Sequence, residues 1–455
     1  MTSSTSSPTR TPSVAARLDR LPVTRTHVLA TMVIGLGLFF DAYENFLAGT
    51  IGKVLQIDLD LSQTELSALL GSAFVGQFLG AVVMGRFADR FGRRRAFMIN
   101  LAVYSVFSLI GAFSPNAIFL VVTRFVAGVG IGAEYALADT YLSDLMPSDE
   151  RGRFISWAYT VSFLGVPVVG LMARFLVPLE PWGVDGWRYL FVFGALGSFL
   201  VWLVRRNLPE SPRWLELEGR HEEAEELVSA MEQEAVAAGH TLREPDLSLQ
   251  PGRREPLRVS TLFRAPYTRR TIMLWLLSAL EVFGYYGFGT LAPLVLVAKG
   301  YDVVNSLGYI AATYAGYPLG ALLAVPIVER IERKYLVMVT AALMAVFGLA
   351  FGLAGTGLLV IVFGLAYTVS SNVFSNAYHV YLAESYPTKV RATAAGAAYS
   401  LSKLVTGGLP FLLLPVLDAS GATPVFSVVA VAMALLVLNV GVLGQRTMGR
   451  SADAT

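Results

Sequence analysis

The sequence predicts an all-α membrane protein of twelve transmembrane helices, arranged as two pseudo-symmetric six-helix bundles. Three observations predict it: too few charges to clothe a soluble particle, twelve long apolar stretches, and a repeat that maps one half onto the other. Hydrophobic residues make up 55% of the 455 residues and charged residues 15%, where a soluble domain carries about 25%. The mean hydropathy is +0.58. Cysteine is absent, which removes disulfides, thiol nucleophiles and cysteine metal sites from consideration. A net charge of +2 is too small to suggest a nucleic-acid partner.

Residues 1–26, rich in Ser, Thr and Pro with Arg10, Arg17, Arg20 and Arg25, read as a disordered cytoplasmic tail. A secretory signal is the competing reading, but the apolar stretch that follows is too long for one and carries Asp41 and Glu44. A membrane helix needs about 20 mostly apolar residues, because hydrocarbon offers the backbone no hydrogen bonds. In residues 27–204 such stretches begin near His27, Glu65, Ala96, Ala117, Phe154 and Trp187. In residues 271–445 they begin near Thr271, Asn305, Tyr335, Gly357, Ala392 and Thr423. Between the two sets, residues 205–270 hold Pro209, Pro212, Pro251 and Pro256 and a charged amphipathic run from Gly219 to Val236. That pattern is a cytoplasmic linker with short surface helices, in which Glu222, Glu223, Glu225 and Glu226 form a solvated face. Residues 446–455 make a closing cytoplasmic tail. With the N-terminus inside, 29 of the 35 Lys and Arg fall on cytoplasmic segments and 4 on outer loops. The asymmetry predicts a multi-pass protein of the plasma or inner membrane with both termini in the cytoplasm.

The halves align at an offset of 240 residues. Gly76, Leu79, Gly80 and Ala81 recur as Gly316, Leu319, Gly320 and Ala321. Asp89, Arg90, Arg93 and Arg94 recur as Glu329, Arg330, Arg333 and Lys334, and Tyr141, Leu142, Asp144, Pro147 and Arg151 as Tyr381, Leu382, Glu384, Pro387 and Arg391. A duplicated bundle places a small-molecule site near the midplane between its halves, opened to each side in turn as they rock. One chain holds both halves, so a monomer is expected to suffice.

The run Gly85-Arg-Phe-Ala-Asp89-Arg90-Phe-Gly-Arg93-Arg94 resembles the signature loop between helices 2 and 3 of the major facilitator superfamily. Arg124-Phe-Val-Ala-Gly128-Val-Gly130-Ile-Gly132-Ala-Glu134 and Pro209-Glu210-Ser211-Pro212-Arg213-Trp214-Leu215 are similar to motifs of its sugar-porter and metabolite–proton symporter branches. The resemblance covers nearly the whole chain and implies the major facilitator fold. Two departures bear on substrate. Helix 7 reads Ala279-Leu-Glu281-Val-Phe-Gly-Tyr285-Tyr286 where sugar porters carry paired glutamines, and the Pro-Glu-Thr-Lys-like sequence after helix 12 is missing. Phe40-Asp41-Ala-Tyr43-Glu44 looks closer to metabolite, aromatic-acid and organic-ion members.

An ionisable residue inside a span is costly and marks function by default. Asp41 lies about 14 residues into the first span and Arg124 about 7 into the fourth, roughly 20 Å and 10 Å from opposite edges. In a core of about 30 Å these depths coincide, so an Asp41–Arg124 pair is geometrically possible. The family resemblance points to the same pair for proton coupling. The competing reading is a permanent ion pair that only neutralises buried charge. Glu44, one turn away, reads equally as a second proton site or a vestibule charge. Glu281, Lys403, Tyr285, Tyr286, Tyr43, Asn372 and Asn376 are the candidate substrate-binding residues. Glu281 and Lys403 lie near the middle of their spans, and the two asparagines share one face of helix 10 with Ser375 and His379. Gly85, Asp89, Arg90, Arg93, Glu134, Asp144, Arg151, Glu210, Arg213, Glu329, Arg330, Glu384 and Arg391 gather at the cytoplasmic side. They are expected to form a gate whose ion pairs bridge the halves and hold the cytoplasmic side shut in the outward-open state, unless the Arg clusters are topology signals alone; as lone exposed pairs they are worth only about 0–1 kcal/mol each.

Gly128, Gly130 and Gly132 follow no strand, so they suit helix packing and not a nucleotide loop. No Walker motif, metal-ligand spacing or nucleophile elbow is visible. The chain therefore reads as no enzyme, with no cofactor and with the proton as coupling ion. The leading expectation is proton-coupled symport of a small polar metabolite, leaning to an organic or aromatic acid. The alternatives are an organic cation or drug transporter, a passive sugar or metabolite uniporter, and a sensor that keeps the fold without transport.

Overall fold

Long apolar runs leave the backbone no partner but itself, and the chain answers with helices. The computed structural model describes residues 12–246, 259–386 and 388–448, the side chains at positions 388, 389, 391 and 392 apart. Twelve helices in it are long and apolar enough to cross a membrane. Spans 1 to 6 are Arg25–Thr50, Gln63–Phe91, Arg93–Ala112, Ala117–Leu145, Arg151–Leu176 and Gly186–Arg205. Spans 7 to 12 are Thr268–Ala298, Val303–Arg330, Arg333–Leu353, Gly357–Glu384, Thr393–Ser420 and Ala422–Leu443. An even number of crossings brings Arg25 and Leu443 to one face, called here the terminal face. Large apolar side chains such as Ile118, Phe175 and Leu358 point outward from the bundle, as a lipid environment requires.

Three spans are broken. Span 4 divides into Ala117–Ile131 and Glu134–Leu145, span 5 at Leu164 and span 8 at Ala315. The break in span 4 follows a glycine ladder on which spans 2 and 4 touch backbone to backbone. A Cβ at Gly76 or Gly80 would strike Phe125 or Val129, and one at Gly128 or Gly132 would strike Ala73 or Gln77. Small residues allow this approach, which dispersion then stabilises.

The tail and linker form part of the first half. Residues expected to be disordered include a short helix, Val14–Asp19, capped by Ser13. Arg17 of that helix pairs with Glu225 and Glu232 on the linker helix His221–Ala237, and Arg213 pairs with Asp19 at 2.8 Å. The guanidinium of Arg17 hydrogen-bonds Glu232 and is raised in pKa by it, and Arg17 and Arg20 together outweigh burial to lower that of Glu232. Two of the glutamates expected only to be solvated, Glu223 and Glu225, are thus ion-paired, Glu223 with Arg220.

The named close contacts between the halves lie away from the terminal face. A Cβ at Gly71 of span 2 would overlap the Gly407 carbonyl of span 11. Gly49 of span 1 meets Thr290 of span 7, and Gly170 of span 5 meets Ala311 of span 8. Phe46 inserts among Tyr285, Tyr314 and Tyr317, with ring centroids 6.5, 5.5 and 5.1 Å away. Among the described residues, every ion pair closes within one half.

Candidate transport site

The charges inside the first half sort into two layers. Nearer the face opposite the chain ends, Glu44 of span 1 pairs with Arg124 of span 4, at 0% and 2% side-chain exposure. Arg124 also donates to the Glu44 carbonyl at 2.9 Å, and Ser108 of span 3 donates to the Glu44 carboxylate. The expected Asp41–Arg124 pair is therefore not formed: the arginine reaches the acid one turn further along span 1. Asp41 is wholly buried, and neither carboxylate oxygen has a hydrogen-bond partner. The Tyr104 hydroxyl approaches it short of hydrogen-bond geometry, and Glu134, Arg205 and Glu44 are the charged groups that act on it.

The second layer lies toward the terminal face. Glu134, the first residue after the break in span 4, pairs with Arg205 at the end of span 6, both almost fully buried. Asn100 donates to Glu134 at 3.5 Å. Arg205 donates to the Ile34 carbonyl at 3.3 Å and lies over the Phe97 ring at 4.5 Å. Gly37 makes room for it, since any Cβ there would overlap the guanidinium. Two sequence expectations change here. Glu134 sits inside the first half and bridges nothing across the halves, and Arg205, counted with the linker, is a membrane-embedded charge.

Among the described residues of the second half, Lys403 and Glu281 are buried charges well inside their spans, and Lys403 faces the junction. Lys403 of span 11, 1% exposed, donates to the Tyr286 hydroxyl. Its ammonium stands 4.4 Å from the Tyr286 ring, 4.8 Å from Tyr399 and 5.9 Å from Phe74 of the first half. Such distances suit cation–π attraction. Glu281 is buried and acts on Lys403 from beyond ion-pair contact. Tyr399 reaches across, with Tyr135 and Asp41 of the first half and Glu281 and Tyr378 of the second all close enough to act on it. Beyond Tyr135, Tyr159 donates to Asp139 at 3.0 Å and stacks on Tyr135.

Other expected substrate residues are engaged by neighbouring spans. Tyr43 is fully buried and donates to the Leu190 carbonyl of span 6 at 3.0 Å. Asn372 donates to the Tyr317 carbonyl at 2.7 Å, fastening span 10 to span 8, and Asn376 donates back to Asn372. Both amide nitrogens donate within the second half. Tyr285 packs against Phe46 at the contact between halves.

The expected gate residues make local joints at the terminal face. Arg93 pairs with Asp144 at 3.0 Å, Ser211 donates to Asp144, and Glu210 accepts from the Arg93 and Arg94 backbone. Arg151 reaches Asp19 at 4.0 Å, and Arg333 pairs with Glu384 at 3.3 Å. Asp89 offers its carbonyl to Trp214, and Arg90 lies over Phe91. Gly85 has open space around it, and Glu329 and Arg330 are exposed. The side chain of Arg391 lies outside the described residues. Bridging pairs between the halves, expected of the outward-open state, are absent among the described residues of this arrangement, in which the close contacts hold the halves together at the opposite face.

Residues 27–454 match the family model described as sugar (and other) transporter. The chain belongs to that family. The putative metabolite transport protein YyaJ of Bacillus subtilis is similar, 33% identical over 393 residues, 86% of each chain. The niacin transporter NiaP of Acinetobacter baylyi is 30% identical over 442 residues, covering 97% of this chain and 99% of NiaP. The fold is similar to that of the xylose transporter XylE from E. coli in a partially occluded inward open conformation. The TM-score there is 0.74 at 21% identity, covering 93% of this chain and 99% of XylE. As a sugar (and other) transporter family member with twelve spans, the chain is an integral membrane secondary transporter for a small molecule, and not an enzyme.

Proposed function

We propose that the chain is a proton-coupled symporter of an aromatic or other organic acid, working by alternating access as a monomer. The observation that carries the substrate class is the Lys403 ammonium, set among the rings of Tyr286, Tyr399 and Phe74. One of its three donors is used by Tyr286, which leaves a charge for a carboxylate beside flat apolar faces for a ring. The similarity to a niacin transporter supports an aromatic carboxylate. Glu281 favours one other reading, an organic cation held by that carboxylate. With the terminal face in the cytoplasm, as the Lys and Arg distribution supports, the arrangement described is the inward-facing one.

The proton belongs on Asp41. A buried carboxylate without a partner is costly to keep charged, and Asp41 lies within reach of Tyr399, which faces the Lys403 cluster. Proton and substrate load from the outer side, the halves rock about their contacts, and both leave to the cytoplasm. The test is tracer uptake of niacin into proteoliposomes with and without an inward proton gradient, against a panel of organic cations and pentoses. Gradient-driven accumulation, lost in Asp41→Asn with exchange retained, is expected. Accumulation that persists in Asp41→Asn overturns the proton assignment, and accumulation of cations alone overturns the substrate class.

A further inference from the structure

The Glu134–Arg205 pair is absorbed neither by substrate binding nor by any joint between the halves. It lies in the core of the first half, on the terminal-face side of Asp41, and its arginine acts on Asp41 as well as on Glu134. One guanidinium therefore contacts one buried carboxylate and stands near enough to act on a second that it does not touch. Other polar side chains gather around the two acids. Asn100 touches Glu134, and the Tyr104 hydroxyl, fully buried and without a hydrogen-bond partner, lies within reach of both acids. Glu44, Tyr135, Tyr399, Asp139 and Ser198 are the other polar groups that face the cluster from spans 1, 4, 11 and 6.

We propose that Glu134 is a second proton station, through which the proton on Asp41 leaves toward the face that carries the chain ends. Arg205 is the positioning residue that alternates between the two acids. Arg205 contacts Glu134 and not Asp41, and to this arrangement we assign the proton on Asp41 and the charge on Glu134. As the proton leaves the Asp41 oxygen and bonds to a Glu134 oxygen, Arg205 turns to the Asp41 carboxylate, so one acid stays neutral and one stays paired throughout. Glu134 then gives the proton to water at the terminal face. Gly37 gives the guanidinium room against span 1, and the break before Glu134 puts its carboxylate at a helix N-terminus, where the ionised form is favoured once the proton has gone.

This inference rests on the assignment of the proton to Asp41, and one experiment separates the two. The full chain in proteoliposomes is titrated while its infrared carboxylic-acid C=O bands are recorded, a readout that needs no substrate. Wild type is expected to show a band lost in Asp41→Asn and a second, appearing at a different pH, lost in Glu134→Gln. Arg205→Lys keeps the charge and changes the fit, so it should shift the titration of the Glu134 band while the band itself remains. It serves as the second variant where Glu134→Gln does not fold. A band lost in Asp41→Asn with none tied to Glu134, and nothing shifted by Arg205→Lys, overturns this inference and leaves the Asp41 assignment standing. A spectrum indifferent to Asp41→Asn overturns both.

Discussion

Offset by 240 residues, the two halves meet the same packing problem with opposite chemistry. The carbonyl of residue 44 in span 1 accepts from the Arg124 guanidinium at 2.9 Å, and its counterpart, the carbonyl of Gly284 in span 7, accepts from the Tyr367 hydroxyl at 2.6 Å. Where the first half has Glu44 and Arg124, the second has Gly284 and Gly364. Where the first has Glu134, the second has Phe374, stacked parallel to Tyr378 at 6.2 Å. One half is closed by buried ion pairs and the other by rings. A buried pair stabilises no better than apolar residues of the same volume, and the second half shows that the fold closes without one. Stability alone therefore does not account for the pairs in the first half, and the proposed proton handling gives the Glu134–Arg205 pair another role. Of the charges in the second half, Lys403 is buried at the junction, beside Phe74 of the first half, with Glu281 acting on it.

The largest effect that would break this contrast is expected at Glu44. Glu44→Gln leaves the Arg124 charge buried without its counter-ion, which costs about 3–5 kcal/mol. Thermal unfolding in detergent should register it, and the double replacement Glu44→Gln with Arg124→Met should recover much of the loss. A cost below about 1 kcal/mol, the worth of an exposed pair, would mean that water reaches this pair and that the contrast between the halves is one of sequence only.

How much of this was legible beforehand follows from what each inference needed. The fold needed only length, apolarity and the 240-residue repeat, which are properties of whole segments. The pairing inside the first half needed a depth finer than segment boundaries give. Asp41 and Glu44 differ by about 4.5 Å of rise, within the error of placing a helix end, so depth alone could not choose which acid meets Arg124. Arg205 escaped because it ends its span, where an arginine reads equally well as the first residue of a basic linker. Gly37, which lets it in, gives no signal until the helices are packed. Tyr43 and Asn372 carry the right chemistry for a binding site, but their rotation about the helix axis turns them toward backbone carbonyls of neighbouring spans.

A middle-sized effect is expected at the junction. Lys403→Gln removes the charge from the aromatic slot and keeps a hydrogen-bond donor. For a carboxylate substrate, losing a charged hydrogen bond is worth about 1.5–3 kcal/mol, or roughly tenfold to a hundredfold in apparent affinity. Niacin uptake kinetics should show the change in KM. The melting temperature should move less than in Glu44→Gln, since Lys403 has no ion-pair partner in contact to abandon. A variant that melts early with unchanged KM would make Lys403 a structural charge and remove the proposed division between a proton half and a substrate half.

The smallest effect sharpens the comparison most directly, because it changes the same joint in the other half. Tyr367→Phe deletes the hydroxyl that meets the Gly284 carbonyl and leaves the ring stacked on Phe288, whose centroid is 4.2 Å away. That carbonyl also lies within the helix of span 7, so it keeps a helical partner. No charge is stranded. A neutral hydrogen bond of this kind contributes about 0.5–1.5 kcal/mol net, several times less than the loss expected for Glu44→Gln at the equivalent carbonyl. Measured in the same detergent melt, the two variants should differ in that order, and Tyr367→Phe should accumulate substrate against a gradient as wild type does. Were Tyr367→Phe to abolish accumulation while melting normally, the second half would also handle protons at this depth, and the asymmetry would lie in the choice of side chain and not in the task.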